Sequence, residues 1–291
     1  MPHNTPESKY LGKRTAIPSH YAPEVLVSVP RAANREALGL NTTHRLEGWD
    51  VWHAYEAGFL AGQGLPVTGV LKIVYDANTE NLVESKSLKL YLNSFNEEKM
   101  GHTPGDAITT YEHRVKTDLE KTTGGEVRLR LHQYPVHYQE KPWQHYAIAE
   151  RMPGVEQIPF TATAEDPQLL QTSYTPDEQH LGTHLLKSNC KITHQPDWGS
   201  AFLHMKGATL LPFSFLQYIA SLRTEDHFHE EIAELLMKRL IEKSPQSDIM
   251  VACHYTRRGG IDINPVRFKG NHRIPAALTN EKILTTPLFR Q

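Results

Sequence analysis

Cysteine is scarce in this chain, with two in 291 residues, Cys190 and Cys253. Two cysteines so far apart make neither a disulfide framework nor a paired-cysteine zinc site. HExxH is missing too, and so are GxGxxG on a βαβ unit and GxxxxGK[ST]. Their absence disfavours a zinc protease, the common dinucleotide fold and a P-loop ATPase. No apolar run approaches the length of a membrane span, so no membrane partner is expected. Met1-Pro2-His3-Asn4-Thr5-Pro6-Glu7-Ser8 has no apolar h-region, so no secretory signal is expected. Neither charge sign dominates: 31 Lys and Arg against 33 Asp and Glu leave a net charge of -2. That balance excludes general attraction to nucleic acid or anionic lipid, and no direct nucleic-acid partner is expected. The 17 histidines are dispersed among polar residues, so no metal is expected. The chain reads as a cytoplasmic protein, long enough to bury one sizeable core or two smaller ones without staples.

What is present is order, repeated once. Residues 1–50 are polar with scattered prolines and read as an N-terminal arm or irregular segment. Residues 51–150 form a first half. Val67 to Tyr75 is a strand, and Leu88, Tyr91, Leu92 and Phe95 recur at helical spacing. Pro104-Gly105-Asp106 opens a second helix through Leu119, which Gly124-Gly125 closes. Val127, Leu129 and Leu131 then alternate with Arg128 and Arg130 as a strand. Residues 151–291 repeat the pattern: a strand at Ala201 to Met205, a short helix around Leu216 to Leu222, a longer one from Phe228 to Leu240, then a strand from Ile249 to Tyr255. Another strand is expected in front of each half. The reading is an internally duplicated α+β fold, antiparallel strands with helices segregated to one face.

The polar chemistry is not duplicated. Cys190 belongs only to the second half, in Ser188-Asn189-Cys190-Lys191-Ile192-Thr193-His194-Gln195-Pro196-Asp197-Trp198-Gly199. Polar flanks favour a reactive thiol over a packed one, and Lys187, Lys191 and His194 are neighbours able to assist it. Asp197 is a turn residue or an acid. His229-Glu230-Glu231 opens the long helix, where acids also complement the dipole, and one of the two at most can point into a given pocket. Such a carboxylate, or Glu84, would accept paired N–H donors from an aminopyrimidine or guanidine edge. Glu84-Ser85-Lys86-Ser87-Leu88-Lys89-Leu90-Tyr91 mixes hydroxyls and cations at a helix entrance, which suits an anion or merely a capped helix. Tyr255-Thr256-Arg257-Arg258-Gly259-Gly260 leaves a cationic, close-approach loop suited to phosphate. One site assembled from both halves fits this division better than two.

Together these four stretches resemble the NADPH-dependent 7-cyano-7-deazaguanine reductases, the nitrile reductases of queuosine biosynthesis. The match runs in order through Glu84–Tyr91, Ser188–Cys190 with Gln195–Gly199, Phe228–Glu230 and Tyr255–Gly260. It is similar to the long, duplicated form of that family. The resemblance implies tandem tunnelling-fold (T-fold) halves and a homodimer associating through its sheets. It also implies metal-free reduction of the nitrile of 7-cyano-7-deazaguanine (preQ0) to the aminomethyl group of preQ1 with two NADPH. Cys190 would form a covalent thioimide, Asp197 would protonate the nitrile nitrogen and His229 would assist proton transfer. Leu82, Val83, Glu84, His229 and Glu230 would hold the base. Ser85, Lys86, Arg258 and Gly259 would hold NADPH. The rivals are a ring-processing enzyme of the same fold, a thiol hydrolase pairing Cys190 with His194 or His229, and a non-catalytic scaffold.

Overall fold

The computed structural model describes residues 17–40, 44, 46–135, 138–272 and 274–291. Met1–Ser8 and the rest of the expected arm up to residue 16 therefore lie outside the described residues. Among the described residues of that arm, short regular elements replace the expected irregular segment. A 3-10 turn at Pro23–Val25 leads into strand β1 (Ser28–Pro30) and helix α1 (Arg31–Ala37). These elements are too short to show periodicity and depend on partners distant in sequence. Val29 of β1 is buried, and Arg31 is held by Asp50 at 2.5 Å.

The first half continues with β2 (Glu47–Ala61), β3 (Leu65–Asp76), β4 (Asn81–Val83), α2 (Ser85–Asn93), α3 (Pro104–Thr123) and β5 (Val127–His132). Short strands β6 (Tyr138–Glu140) and β7 (Ala147–Ile148) lead to the second half. It comprises β8 (Thr172–Asn189), β9 (Pro196–Leu210), α4 (Pro212–Ser221), α5 (His229–Lys243), β10 (Asp248–Tyr255) and β11 (Ile261–Lys269), followed by β12 (Leu284–Thr285). The strands expected in front of each half are β2 and β8.

The two halves share one eight-stranded sheet in the order β5-β3-β2-β11-β10-β9-β8-β7. The join is antiparallel pairing of β11 with β2, from Ile261 opposite Ala54 to Phe268 opposite Glu47. The sequence reading named no strand after the loop at Tyr255–Gly260; Ile261–Lys269 form this joining strand. Pro265 has no N–H to give, and the ladder of β11 with β10 stops beside it at Val266.

All four long helices pack on one sheet face, as their sequences require. In α3, Thr103 and Asp106 form a capping box, Ala107, Tyr111, Val115 and Leu119 repeat every four residues into the core, and Gly124 ends the helix at φ 74°. Two cores result, one around Phe59, Tyr91, Phe95 and Tyr111, the other around Leu203, Phe215, Leu236 and Val251. Each such buried side chain contributes roughly 1.5–3 kcal/mol. The opposite sheet face carries a smaller apolar cluster in which Trp143 stacks on Phe202 at 4.3 Å.

An ion network locks the seam between halves. Asp50 on β2 meets Arg31 at 2.5 Å and Arg267 of β11 at 2.8 Å; Arg267 also meets Glu234 of α5 at 3.0 Å. Asp50 and Arg267 are fully buried, so deleting either strands a charge and costs about 3–5 kcal/mol. Among the described residues, no helix is long and apolar enough to cross a membrane.

Candidate active site

Three local structures converge on one cavity of about 260 Å³. The first is the start of α2. β4 pairs with β1, which places Leu82 and Val83 in the cavity wall, and the chain turns into the helix at Glu84. Glu84 is the N-cap: its carboxylate accepts the N–H of Lys86 at 2.8 Å and of Ser87 at 2.7 Å. The plainer reading of this segment, a capped helix, is therefore true of Glu84, and the same bonds fix its carboxylate at the cavity edge. Burial raises its pKa, and the two backbone bonds oppose that rise.

The second is the turn between β8 and β9, which carries Cys190. Cys190 donates its N–H to the Gln195 carbonyl at 2.8 Å and accepts from His194 N–H at 2.9 Å. His194 takes a left-handed φ of 55° to close this loop. Asn189 ties the loop to the entrance of α5, giving its N–H to Glu225 at 2.8 Å and accepting from His227 at 3.0 Å. The three neighbours expected to assist the thiol are engaged elsewhere. Lys187 reaches Asn189 and the Arg223 carbonyl, Lys191 binds Glu231 at 2.7 Å, and His194 binds Asp226 at 2.8 Å.

At α5 itself the two acids divide. Glu231 accepts the Phe228 N–H at 2.8 Å and pairs with Lys191, so it serves the helix start. Glu230 turns into the cavity with His229. Burial first, then the negative charge of Asp50, pushes its carboxyl up to about 8. Between the ordinary value of 4.5 and about 8, the folded chain keeps a proton that the unfolded chain has released. Stability therefore falls as pH rises through this window, and the full penalty applies above it. Glu230→Gln should gain on the order of 3 kcal/mol over the unmodified chain at about pH 9 and nothing at about pH 4. Urea denaturation at the two pH values measures this; an equal difference at both would show that Glu230 is not held protonated.

The third is the β10–β11 hairpin. Gly259 and Gly260 have φ of 58° and 81°, the paired positive values of a two-residue type I′ turn, and Arg258 pairs with Ile261 across it. The glycines are thus required by the backbone. Of the two arginines, Arg257 lies over the Tyr55 ring at 3.7 Å, while Arg258 enters the cavity.

There Arg258 forms an ion pair with Asp197 and donates to Gln195 at 2.7 Å. His229 approaches the other Asp197 oxygen at 3.3 Å and stacks on Tyr255 with centroids 3.8 Å apart. Burial alone would raise the Asp197 carboxyl, but hydrogen bonds and charge from His229 and Arg258 outweigh it and hold it below the usual range. Asp197 is therefore held as an ionised carboxylate. Nδ1 of His229 is buried without a hydrogen-bond partner.

The residues that the family resemblance implied for the site (Leu82 to Lys86, Cys190, Asp197, His229, Glu230, Arg258 and Gly259) all border this cavity, whereas Lys187, Lys191 and His194 do not. Sequence reasoning passed over Trp52, Gln195, Ile261 and Ile263, which also line it. Gln195 carried a usable signal, since it lies in the stretch with Asp197. Trp52, Ile261 and Ile263 look like ordinary core residues. Cys253 is fully buried in β10, and burial pushes its thiol up to about 12.

A cavity that joins an accessible cysteine, a paired carboxylate and a cationic rim belongs to an enzyme, and comparison with known proteins gives its class as an oxidoreductase. The family model described as nitrile reductase, 7-cyano-7-deazaguanine-reductase N-term matches residues 17–131, and that of QueF-like protein matches 196–273. An NADPH-dependent 7-cyano-7-deazaguanine reductase of Coxiella burnetii (strain RSA 331 / Henzerling II) is 36% identical over 263 residues, covering 90% of this chain and 91% of the relative. The protein of the same description from Colwellia psychrerythraea is 37% identical over 279 residues, covering 92% and 94%. The chain belongs to the NADPH-dependent 7-cyano-7-deazaguanine reductase family.

Proposed function

We propose that the chain reduces the nitrile of preQ0 to the aminomethyl group of preQ1 through a thioimide on Cys190. The observation that carries this reading is the convergence of Cys190, the Asp197–His229 pair and Glu230 on one cavity. The repeated strand and helix order supports tandem T-fold halves, and a cytoplasmic homodimer joined through its sheets belongs to the same reading.

Glu230 and the N-cap carboxylate of Glu84 grip the N–H edge of the deazaguanine, with Leu82 and Val83 against the ring. Two adjacent N–H donors favour the ionised carboxylate, so base binding near neutral pH expels the proton that Glu230 holds. The cation of Arg258, Lys86 and the amino terminus of α2 suit the phosphates of NADPH, which would supply one hydride each time it binds, so two molecules are used in turn.

Because Asp197 starts ionised, the proton it gives the nitrile nitrogen must first be received. The Cys190 thiol is the source. Asp197 takes the S–H proton, sulfur adds to the nitrile carbon, and the proton passes to nitrogen, giving the thioimide. After the first reduction the tetrahedral carbon ejects the Cys190 thiolate and becomes an imine. The second reduction and a proton give the amine. His229, between Asp197 and Tyr255, returns protons at the imine stage.

The test is stoichiometry: two NADPH consumed for each preQ1 formed from preQ0. Ammonia release without NADPH oxidation would mark a thiol hydrolase instead. Arg258 allows a finer check. Its guanidinium pairs with Asp197, and a cofactor phosphate would compete with that carboxylate for it. Arg258→Ala should raise KM for NADPH about tenfold, and more than that for NADH, because bidentate contact with the 2′-phosphate is lost. It should also move the acid limb of adduct formation to higher pH, because Asp197 then keeps its burial and loses a cation. Equal KM effects on both cofactors with an unmoved pH limb would remove Arg258 from both roles.

A further inference from the structure

We propose a divalent transition-metal site, of the zinc class, formed by Glu178, His180 and His204 on the sheet face opposite the helices. Glu178 and His180 are alternate residues of β8, so both project to the same face, and His204 of β9 is the direct cross-strand partner of His180. Their ligand atoms all lie within 4.8 Å of one another. His204 Nε2 stands 2.6 Å from Glu178 Oε1 and His180 Nε2 stands 3.9 Å from the same oxygen. The two imidazoles stack at 4.3 Å, which brings both nitrogens to one side. Ligands about 2.0–2.2 Å from a tetrahedral ion lie roughly 3.3 Å apart, so rotation of the half-exposed Glu178 side chain completes the geometry. The ion takes the place of the hydrogen that now joins His204 to Glu178.

The surroundings suit a metal. His204 Nδ1 faces His272 Nδ1 at 3.2 Å, the outer contact that orients a ligating imidazole. Nε2 of His272 is buried without a partner. Two imidazoles and one carboxylate suit zinc, with nickel, cobalt and copper as competitors, and the exposed side leaves room for water. Lys206 pairs across from Glu178 and opposes the dication.

This site has no linear signature, so a search for HExxH or paired cysteines passes over it. It lies between two irregularities of the β8–β9 ladder, at Tyr174/Glu178 and Thr183/Leu186. A metal there clamps the register of the hairpin whose turn carries Cys190. Cys190 is ten residues from His180, about 30 Å at the rise of a strand, too far for the ion to enter the reaction.

The experiment uses the full chain with Cys190→Ala, so that the reactive thiol cannot bind zinc. After chelator treatment, the protein is titrated with zinc against a chromophoric chelator. The expected result is one saturable equivalent and a raised melting temperature. His180→Ala with His204→Ala abolishes both effects, His272→Ala weakens binding roughly 10- to 100-fold, and Lys206→Ala tightens it. In the chain retaining Cys190, the paired histidine substitutions leave preQ0 reduction within about twofold, which separates this site from the proposed chemistry. Failure of the Cys190→Ala protein to bind zinc, or undiminished binding after both histidines are removed, overturns the proposal. Should the histidine variants not fold, X-ray absorption at the zinc edge on Cys190→Ala protein decides. Imidazole and oxygen scatterers support the site, and a shell lacking imidazole rejects it.

Discussion

Cys190→Ala protein should fold, bind preQ0 and reduce none of it. A nitrile carbon is a poor direct hydride acceptor, and addition of sulfur divides one difficult reduction into two accessible ones. Alanine leaves the cavity walls intact and removes the cavity thiol to which the proposed carbon–sulfur bond is assigned. The loss in kcat should be on the order of 10⁴-fold or more, with substrate affinity changed less than about threefold. Cys253→Ala is the matched control. Its sulfur is buried in β10, so the substitution should cost about 1 kcal/mol of packing and leave turnover unchanged. Parallel kinetics and urea titrations of the two variants measure both effects. Substantial turnover by Cys190→Ala would move the chemistry elsewhere.

The second large effect is expected at Asp197. Asparagine preserves the shape of the side chain and can still meet Arg258 and His229, but it neither receives the thiol proton nor returns one. Asp197→Asn should slow thioimide formation by roughly 10²- to 10⁴-fold while preQ0 still binds. A loss of turnover through disordered binding would instead raise the dissociation constant of preQ0. Normal turnover would make Asp197 only a residue of the strand start, paired with Arg258 for stability. Stopped-flow measurement of adduct formation, beside an equilibrium binding assay, separates these outcomes.

What could be read from the sequence follows from how far each feature depends on distant residues. Helix α3 announces itself locally through Thr103, Asp106, a repeat every four residues and Gly124, and it forms where expected. The site stretches are legible because cysteine, paired arginines and a glycine pair are chemically conspicuous within a few residues. Strand β11 is the opposite case. Asp262, Asn264 and Pro265 are poor strand residues, and their strand exists because β2 lies alongside them across the seam. Asp262 is buried against His53 at 2.7 Å, a partner 209 positions away. The same distance effect hides the ionisation of the site. Asp197 reads as an acid from its turn, but its ionised state depends on Arg258, 61 positions on. Glu230 reads as a carboxylate, but burial and Asp50 hold its proton.

The most direct test of a covalent cysteine mechanism is the intact mass of the protein after incubation with preQ0 and no NADPH. A thioimide is an addition without a leaving group, so the mass should rise by one whole preQ0 molecule per chain, and peptide mapping should put it on Cys190. Cys190→Ala protein should remain at its original mass. An unchanged mass for the unmodified chain, with preQ0 bound by an independent measurement, would contradict the account.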